Sequence, residues 1–216
     1  MSVWSEIFRY WSSGGPLMGP IAAISVGMWF HTLRLRRRLM AVAPPDFENR
    51  IAHDVQRQPL DTVLETCRAT PGVLAAAVAY TLDALRRRER AVDAFAQYER
   101  TAVTRLGRDL VVVIALTSAA PLLGLLGTVG GMIETFRAVS GAARGDTAAH
   151  VSSGICQALI ATQFGLAVAI PGVFCVARLE RLLNQAKMRF ARCRNHVLLA
   201  LSARGHATRS GHASLA

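Results

Sequence analysis

Ala119-Ala-Pro-Leu-Leu-Gly-Leu-Leu-Gly-Thr-Val-Gly-Gly-Met-Ile133 decides how the chain is read. The stretch carries no charge, and Thr128 is its one strongly polar side chain. It lies in an uncharged run from Leu110 to Ile133, long enough to cross a bilayer as a helix. Gly124, Gly127 and Gly131 recur at helical spacing. Gly127 and Gly131 make a G-x-x-x-G pair, which lets another backbone approach closely in lipid. Thr117, Gly124 and Thr128 share a face at i, i+7 and i+11, so hydroxyls accompany the packing surface. A hydroxyl so placed either meets a neighbour or bonds back to its own backbone carbonyls.

Downstream, Val151 to Ala177 is another uncharged run, 27 residues long. On a helical wheel Gly154, Ala158, Ala161, Gly165, Ala169 and Gly172 form one small-residue stripe. Thr162 lies at its edge, Gln157 lies beyond the other edge, and Leu159, Leu166 and Ile170 stand roughly opposite. One face therefore packs on protein and the other meets lipid or bulkier neighbours. Pro171 is a candidate kink in this helix, and Pro121 sits in the preceding one. Leu179, Leu182, Leu183, Ala186, Phe190, Cys193 and Val197 continue a helical stripe among six Lys and Arg residues. The helix is expected to leave the membrane as an amphipathic rod. From Ser202 the tail is read as disordered.

Upstream, Pro16 to Leu33 is an apolar run interrupted by His31 and followed by Arg34, Arg36, Arg37 and Arg38. A cleaved signal peptide carries its positive charge before the apolar run, so this reads as an uncleaved anchor despite Ala41-Val42-Ala43. Tyr10, Trp11 and Trp29 fit interfacial aromatics, and His31 an interface residue. Residues 34–109 carry 14 Lys+Arg and 10 Asp+Glu, a water-soluble composition. Pro59 opens a helix to about Ala69. A second helix starts after Thr70-Pro71-Gly72. From Val92 a helical pattern meets no breaker before the membrane run, which predicts one helix passing from water into lipid.

The chain has a net charge of +11. The arginines flank apolar runs, which fits anchoring to an anionic cytoplasmic leaflet and not nucleic acid. Arg86-Arg87-Arg88-Glu89-Arg90 lacks interleaved aromatics and reads as a solvated face. Segments 34–109 and 178–216 hold 14 and 8 Lys+Arg, against one each in the lead and the 140–150 loop. The positive-inside rule then puts the N-terminus outside and the C-terminus in the cytoplasm. The expected fold is an all-α integral membrane protein with three transmembrane helices and long cytoplasmic helical extensions. Its parts are a lead at 1–15, a span at 16–33, a cytoplasmic helical domain at 34–109 and a span at 110–139. A loop at 140–150, a span at 151–177, a cytoplasmic helix at 178–201 and a tail at 202–216 complete it.

No phosphate loop, nucleophile with a base, or metal spacing is visible, so neither an enzyme nor a metal or other cofactor is expected. Cys67, Cys156, Cys175 and Cys193 show no zinc or disulfide spacing and read as small hydrophobes. What remains is polar groups in or near the membrane: Thr117, Ser118, Thr128, Glu134, Arg137, Gln157, Thr162 and Gln163. Such groups cost free energy unless they face protein or water. A line of them along packed helices suits an ion path. Glu134 and Arg137, three apart, read as an ion pair at the outer end of the second span.

Ala120-Pro121-Leu-Leu-Gly-Leu-Leu-Gly-Thr-Val-x-Gly-Met-Ile-x-Thr-Phe136 carries a resemblance, as does Gly154-Ile-x-x-Ala-Leu-x-x-Thr-x-x-Gly-Leu-x-x-Ala-Ile-Pro171. Both resemble the ExbB/TolQ/MotA proton-channel family, in pattern most like its three-span ExbB members. Gly14-Gly15-Pro16-Leu-Met18 and Pro59-Leu60 through Cys67-Arg68 to Pro71-Gly72 are similar too.

The resemblance implies a multi-pass protein of the bacterial inner membrane with a periplasmic N-terminus. It implies a homo-oligomeric ring, a pentamer, around a dimer of a single-span partner such as ExbD or TolR. That partner brings an intramembrane Asp as proton carrier, and proton flow drives motion passed to TonB or TolA. Thr128 and Thr162 are then the pore-facing hydroxyls. Gln157 departs from the family, which has Glu there. Either that Glu is dispensable, the preferred reading, or this chain conducts poorly or uses Glu134 or another carboxylate. Energising outer-membrane uptake is the leading role, ahead of Tol-type envelope maintenance and a motility motor. The competing class is a non-conducting scaffold ring.

Overall fold

The computed structural model describes residue 11 and residues 14–44, 46–141 and 147–213. Among them the order is α1 (Met18–Met40), α2 (Phe47–Arg57), α3 (Leu60–Ala69), α4 (Val73–Arg86), α5 (Ala91–Gly141) and α6 (Thr147–Ala213), with no strand. Tyr10 and most of the lead, the centre of the expected loop at 142–146, and residues 214–216 lie outside the described residues.

The chain divides into two compact units. One holds the residues up to Leu33 together with Leu110–Arg178; the other holds Arg34–Asp109 and the residues from Leu179 onward.

The second unit is built as a water-soluble helical domain. On α6 the buried positions are Leu179, Leu183, Ala186, Phe190, Cys193, Val197 and Ala200, alternating by four and three. That spacing keeps one apolar seam facing its neighbours. Phe47, Ile51 and Val55 of α2 and Val63, Leu64 and Cys67 of α3 are buried, with most of the apolar face of α4. Each large side chain so buried contributes about 1.5–3 kcal/mol.

Gly72 precedes α4 at φ +145°, and a Cβ there would stand 2.8 Å from the Val42 carbonyl oxygen. Glycine allows that approach, and the Leu74 N–H donates to the same oxygen at 3.0 Å. Arg68 pairs with Asp83 at 2.8 Å, and Arg86 pairs with Asp61, so both link α3 to α4. The 86–90 run forms the exposed turn into α5, with Arg88 at φ 63° and the Glu89 N–H on the Ala84 carbonyl.

Arg189 makes several contacts in this unit. Its Nε donates to Glu48 Oε1 at 2.7 Å, its Nη1 to the Ala43 carbonyl at 3.0 Å and its Nη2 to the Pro44 carbonyl at 2.9 Å. Burial acts to raise the Glu48 carboxyl, but the Arg189 and backbone hydrogen bonds and the charges of Arg189 and Arg192 hold it below its ordinary value. Arg194 pairs with Glu99 at 2.8 Å, and Arg38 with Asp109 at 2.6 Å.

The first unit is of the opposite character. The apolar windows within Ala91–Arg137 and Val151–Arg204 are long and apolar enough to cross a membrane, yet only 33% and 28% of them are buried within the chain. Leu122, Leu125, Val129 and Phe136 on α5, and Leu159, Ile170 and Phe174 on α6, stand exposed. Apolar side chains presented outward in this number need lipid or another chain around them. α1, expected within the span 16–33, is less apolar than these two, because Pro20, Trp29 and His31 dilute its apolar stretch.

Three local features differ from the sequence reading. α2 was not foreseen. The 140–150 loop is narrower, since α5 runs to Gly141 and α6 starts at Thr147. The helix also continues past Ser202, where disorder was expected, to Ala213. Arg204 holds its course by donating to the Val55 and Gln58 carbonyls at the C-terminal end of α2.

Candidate functional site

Within the first unit the candidate site is the seam between α5 and α6. The helices meet antiparallel through residues with little or no side chain. A Cβ added at Gly124 would lie 3.1 Å from both the Ala161 carbonyl oxygen and the Thr162 Cα. At Gly127 it would meet the Ala161 Cβ at 2.5 Å. At Gly131 it would meet the Gly154 carbonyl at 2.8 Å and the Ala158 Cβ at 3.0 Å. At Gly165 it would meet the Ala120 carbonyl at 2.7 Å and the Gly124 Cα at 3.2 Å. Ala158 and Ala161 are buried in this contact. The close approach brings dispersion contacts that a larger side chain would forbid.

The hydroxyls along the seam differ in what they bond. Thr162, half-buried, donates to the Gly124 carbonyl of the facing helix at 3.1 Å, with its own Ala158 carbonyl at 3.3 Å. Thr117 is buried against Gly172 and donates to the Val113 carbonyl at 2.8 Å. Thr128 is half-buried and donates to the Leu125 carbonyl at 2.7 Å, which is the back-bonded alternative. Thr135 was missed by the sequence reading. It is buried, donates to the Gly131 carbonyl at 2.8 Å and packs against Gly154. It stands five whole turns from Thr117, the signal that places both on one face.

Pro121 and Pro171 are half-buried within α5 and α6, and both helices continue through them. Glu134 and Arg137 are both exposed, and Glu134 lines a cavity. That cavity, of about 100 Å³, has Gly14, Leu17, Gly127, Gly131, Glu134 and Gln157 in its wall. Gln157 is half-buried, and its carboxamide occupies the place a Cβ on Gly15 would take. Gly15 sits at φ +74°, a conformation glycine adopts freely. A larger cavity, of about 600 Å³, belongs to the second unit, where Arg38, Tyr98, Thr101 and Arg105 line it beside apolar residues. Neither wall brings together a nucleophile and a base, and no group of metal ligands occurs among the described residues.

A seam of this kind can hold helices at close range and place a few hydroxyls, one carboxylate and one carboxamide beside water. Comparison with known families matches residues 66–192, more than half of the chain, to the MotA/TolQ/ExbB proton channel family. The chain is 45% identical over 69 residues to the Tol-Pal system protein TolQ of Haemophilus influenzae, covering 32% of this chain and 30% of that protein. It is 44% identical over 82 residues to the putative biopolymer transport protein ExbB-like 1 of Synechocystis, covering 37% and 31%. It is 36% identical over 91 residues to the TolQ of Pseudomonas aeruginosa, covering 40% and 39%. The chain thus aligns with about a third of the length of the curated relatives it matches.

Proposed function

We propose that this chain, which belongs to the MotA/TolQ/ExbB proton channel family, is a channel subunit that couples proton flow across a bacterial inner membrane to work on the envelope. The observation that carries the reading is the seam itself. Two apolar helices are held backbone to backbone by glycines, and the Thr162 hydroxyl reaches across to the Gly124 carbonyl. Thr128 and Thr162 are the hydroxyls of the ion path, with Thr117 and Gln157 beside them. A hydroxyl both donates and accepts, so each can bond a carboxyl or carboxylate and ease its proton exchange.

The working unit is a homo-oligomeric ring, a pentamer, around a single-span ExbD- or TolR-like partner whose intramembrane Asp carries the proton. A TonB- or TolA-like protein receives the motion. The exposed apolar faces of α5 and α6 supply surface for lipid and for ring neighbours. Residues 16–33, 110–139 and 151–177 are the three spans, the basic segments 34–109 and 178–216 lie in the cytoplasm, and the N-terminus is periplasmic. Relatives named TolQ and ExbB-like both match, so energising outer-membrane uptake and Tol-type envelope maintenance are both supported roles.

Gln157, which cannot ionise, favours a second reading, a ring that assembles partners without conducting. Affinity purification from the native membrane, with mass spectrometry, tests the first. Co-purification of a single-span protein with an intramembrane Asp is the expected result, and a TonB-like or Tol-type companion assigns the branch. Absence of any such partner from an intact ring, or no proton flux through the reconstituted complex, would move the assignment to the scaffold.

A further inference from the structure

We propose that the Glu134 carboxylate is a proton-exchange group of this subunit, acting in a water-holding cavity that it shares with Gln157. The proposal rests on the conducting reading above. Two polar side chains, Glu134 from α5 and Gln157 from α6, line the 100 Å³ cavity, and one of them ionises. Gly127, Gly130 and Gly131 leave the rest of the α5 wall without side chains, so the space has room for several water molecules. Among the described residues of this unit Glu134 is the sole carboxylate. It is exposed and also lines the cavity, so its carboxylate can meet the surroundings and the cavity alike. No other ionisable group occurs in the described cavity wall.

Position makes the two side chains partners. Gln157 lies against Gly15, whose missing Cβ leaves room for the carboxamide. A carboxamide on the same cavity can donate an N–H to ionised Glu134 or accept the O–H of its acid form, and it stays neutral in both. In the exchange, hydronium outside gives a proton to the carboxylate and leaves as water. The resulting acid O–H then releases the proton to cavity water and the carboxylate is restored. The hydroxyls of Thr135 and Thr162 bond backbone carbonyls and do not store charge at neutral pH. The seam therefore has a storage group at Glu134 and none at 157.

The test moves the carboxylate across the cavity. The full chain with its co-purifying membrane partner is reconstituted in vesicles holding a pH-sensitive dye. Glu134→Gln is expected to reduce proton flux about a hundredfold with assembly unchanged. Glu134→Gln combined with Gln157→Glu is expected to recover most of it, because the new carboxylate faces the same water. Wild-type flux in Glu134→Gln overturns the proposal, as does a double variant that assembles and remains as inactive as the single one. If the wild-type complex carries no protons, the conducting reading fails by itself. Infrared difference spectra then decide the carboxylate separately: the carboxyl band lost in Glu134→Gln is expected to exchange its proton for deuterium from the medium, and a band that does not exchange overturns the proposal.

Discussion

Arg189 and Glu48 stand 141 residues apart in sequence and meet in a forked ion pair, Nε to Oε1 at 2.7 Å and Nη2 to Oε2 at 3.3 Å. The same guanidinium caps the carbonyls of Ala43 and Pro44, so one side chain fastens α6 to the entry of α2. Both side chains are largely covered, 28% and 14% exposed. Arg189→Ala would leave Glu48 and two carbonyls without these donors and is expected to cost about 2–3 kcal/mol. Arg189→Lys recovers only part of this, because an ammonium cannot reproduce the fork. Thermal unfolding of the purified protein measures both.

The same pair sets an acid limit. The Glu48 carboxyl is held below its ordinary value of 4.5. Its contribution is therefore complete above that value and is lost as pH falls through the lower folded value. Unfolding temperature should drop in that acid window for the wild type and less steeply for Glu48→Gln. Equal slopes in the two proteins would refute the assignment.

At the seam, Gly131→Ala and Gly165→Ala press a methyl group onto backbone oxygens, at 2.8 and 2.7 Å. Backbone cannot swing aside as a side chain can, so loss of folded protein from the membrane fraction is expected, equivalent to about 1–3 kcal/mol of overpacking. Gly107→Ala is the internal control on the same helix. Open space surrounds that position, and helix propensity favours alanine by about 0.5–1 kcal/mol.

Thr162→Val removes the hydroxyl that reaches Gly124 while keeping the side-chain shape. Proton flux is expected to fall about tenfold or more at normal abundance, with Thr162→Ser retaining most of it. Thr128→Val tests the other proposed hydroxyl and is expected to abolish energised work without loss of assembly. Wild-type activity in both valine variants would remove the threonines from the ion path.

Cys67 and Cys193 are buried, and burial first, then the negative groups near them, pushes both thiols up to about 12. They stay protonated through the neutral range and should resist maleimide in the folded protein. Adding denaturant should expose both to labelling, read by intact mass.

How much of this was legible follows from the length scale of each signal. The uncharged runs, the breaker-free passage from Val92 into the membrane segment, and the helix starts at Pro59 and Gly72 are local patterns, and the sequence carries them directly. α2 was invisible because its apolar face is only Phe47, Ile51 and Val55 among charged residues. Its ties to α6, through Arg189 and Arg204, come from far along the chain. The cavity at Glu134 and Gln157 depends on the register of two antiparallel helices, which no single-helix periodicity fixes. The local i,i+3 rule suggested an Arg137 pair for Glu134 and gave no hint of the cavity.

The facing pair Gly124 and Gly165 also constrains how this sequence can drift. A Cβ at Gly165 would crowd the Gly124 Cα at 3.2 Å, and one at Gly124 would touch the Gly165 Cα at 3.5 Å while crowding the Ala161 and Thr162 backbone at 3.1 Å. A large residue in a core can be rescued by a smaller neighbour, but nothing is smaller than glycine. Neither position can compensate for a change in the other. Suppressors of Gly165→Ala must therefore arise where the helices can be moved apart bodily, and a suppressor screen should return no substitution at Gly124.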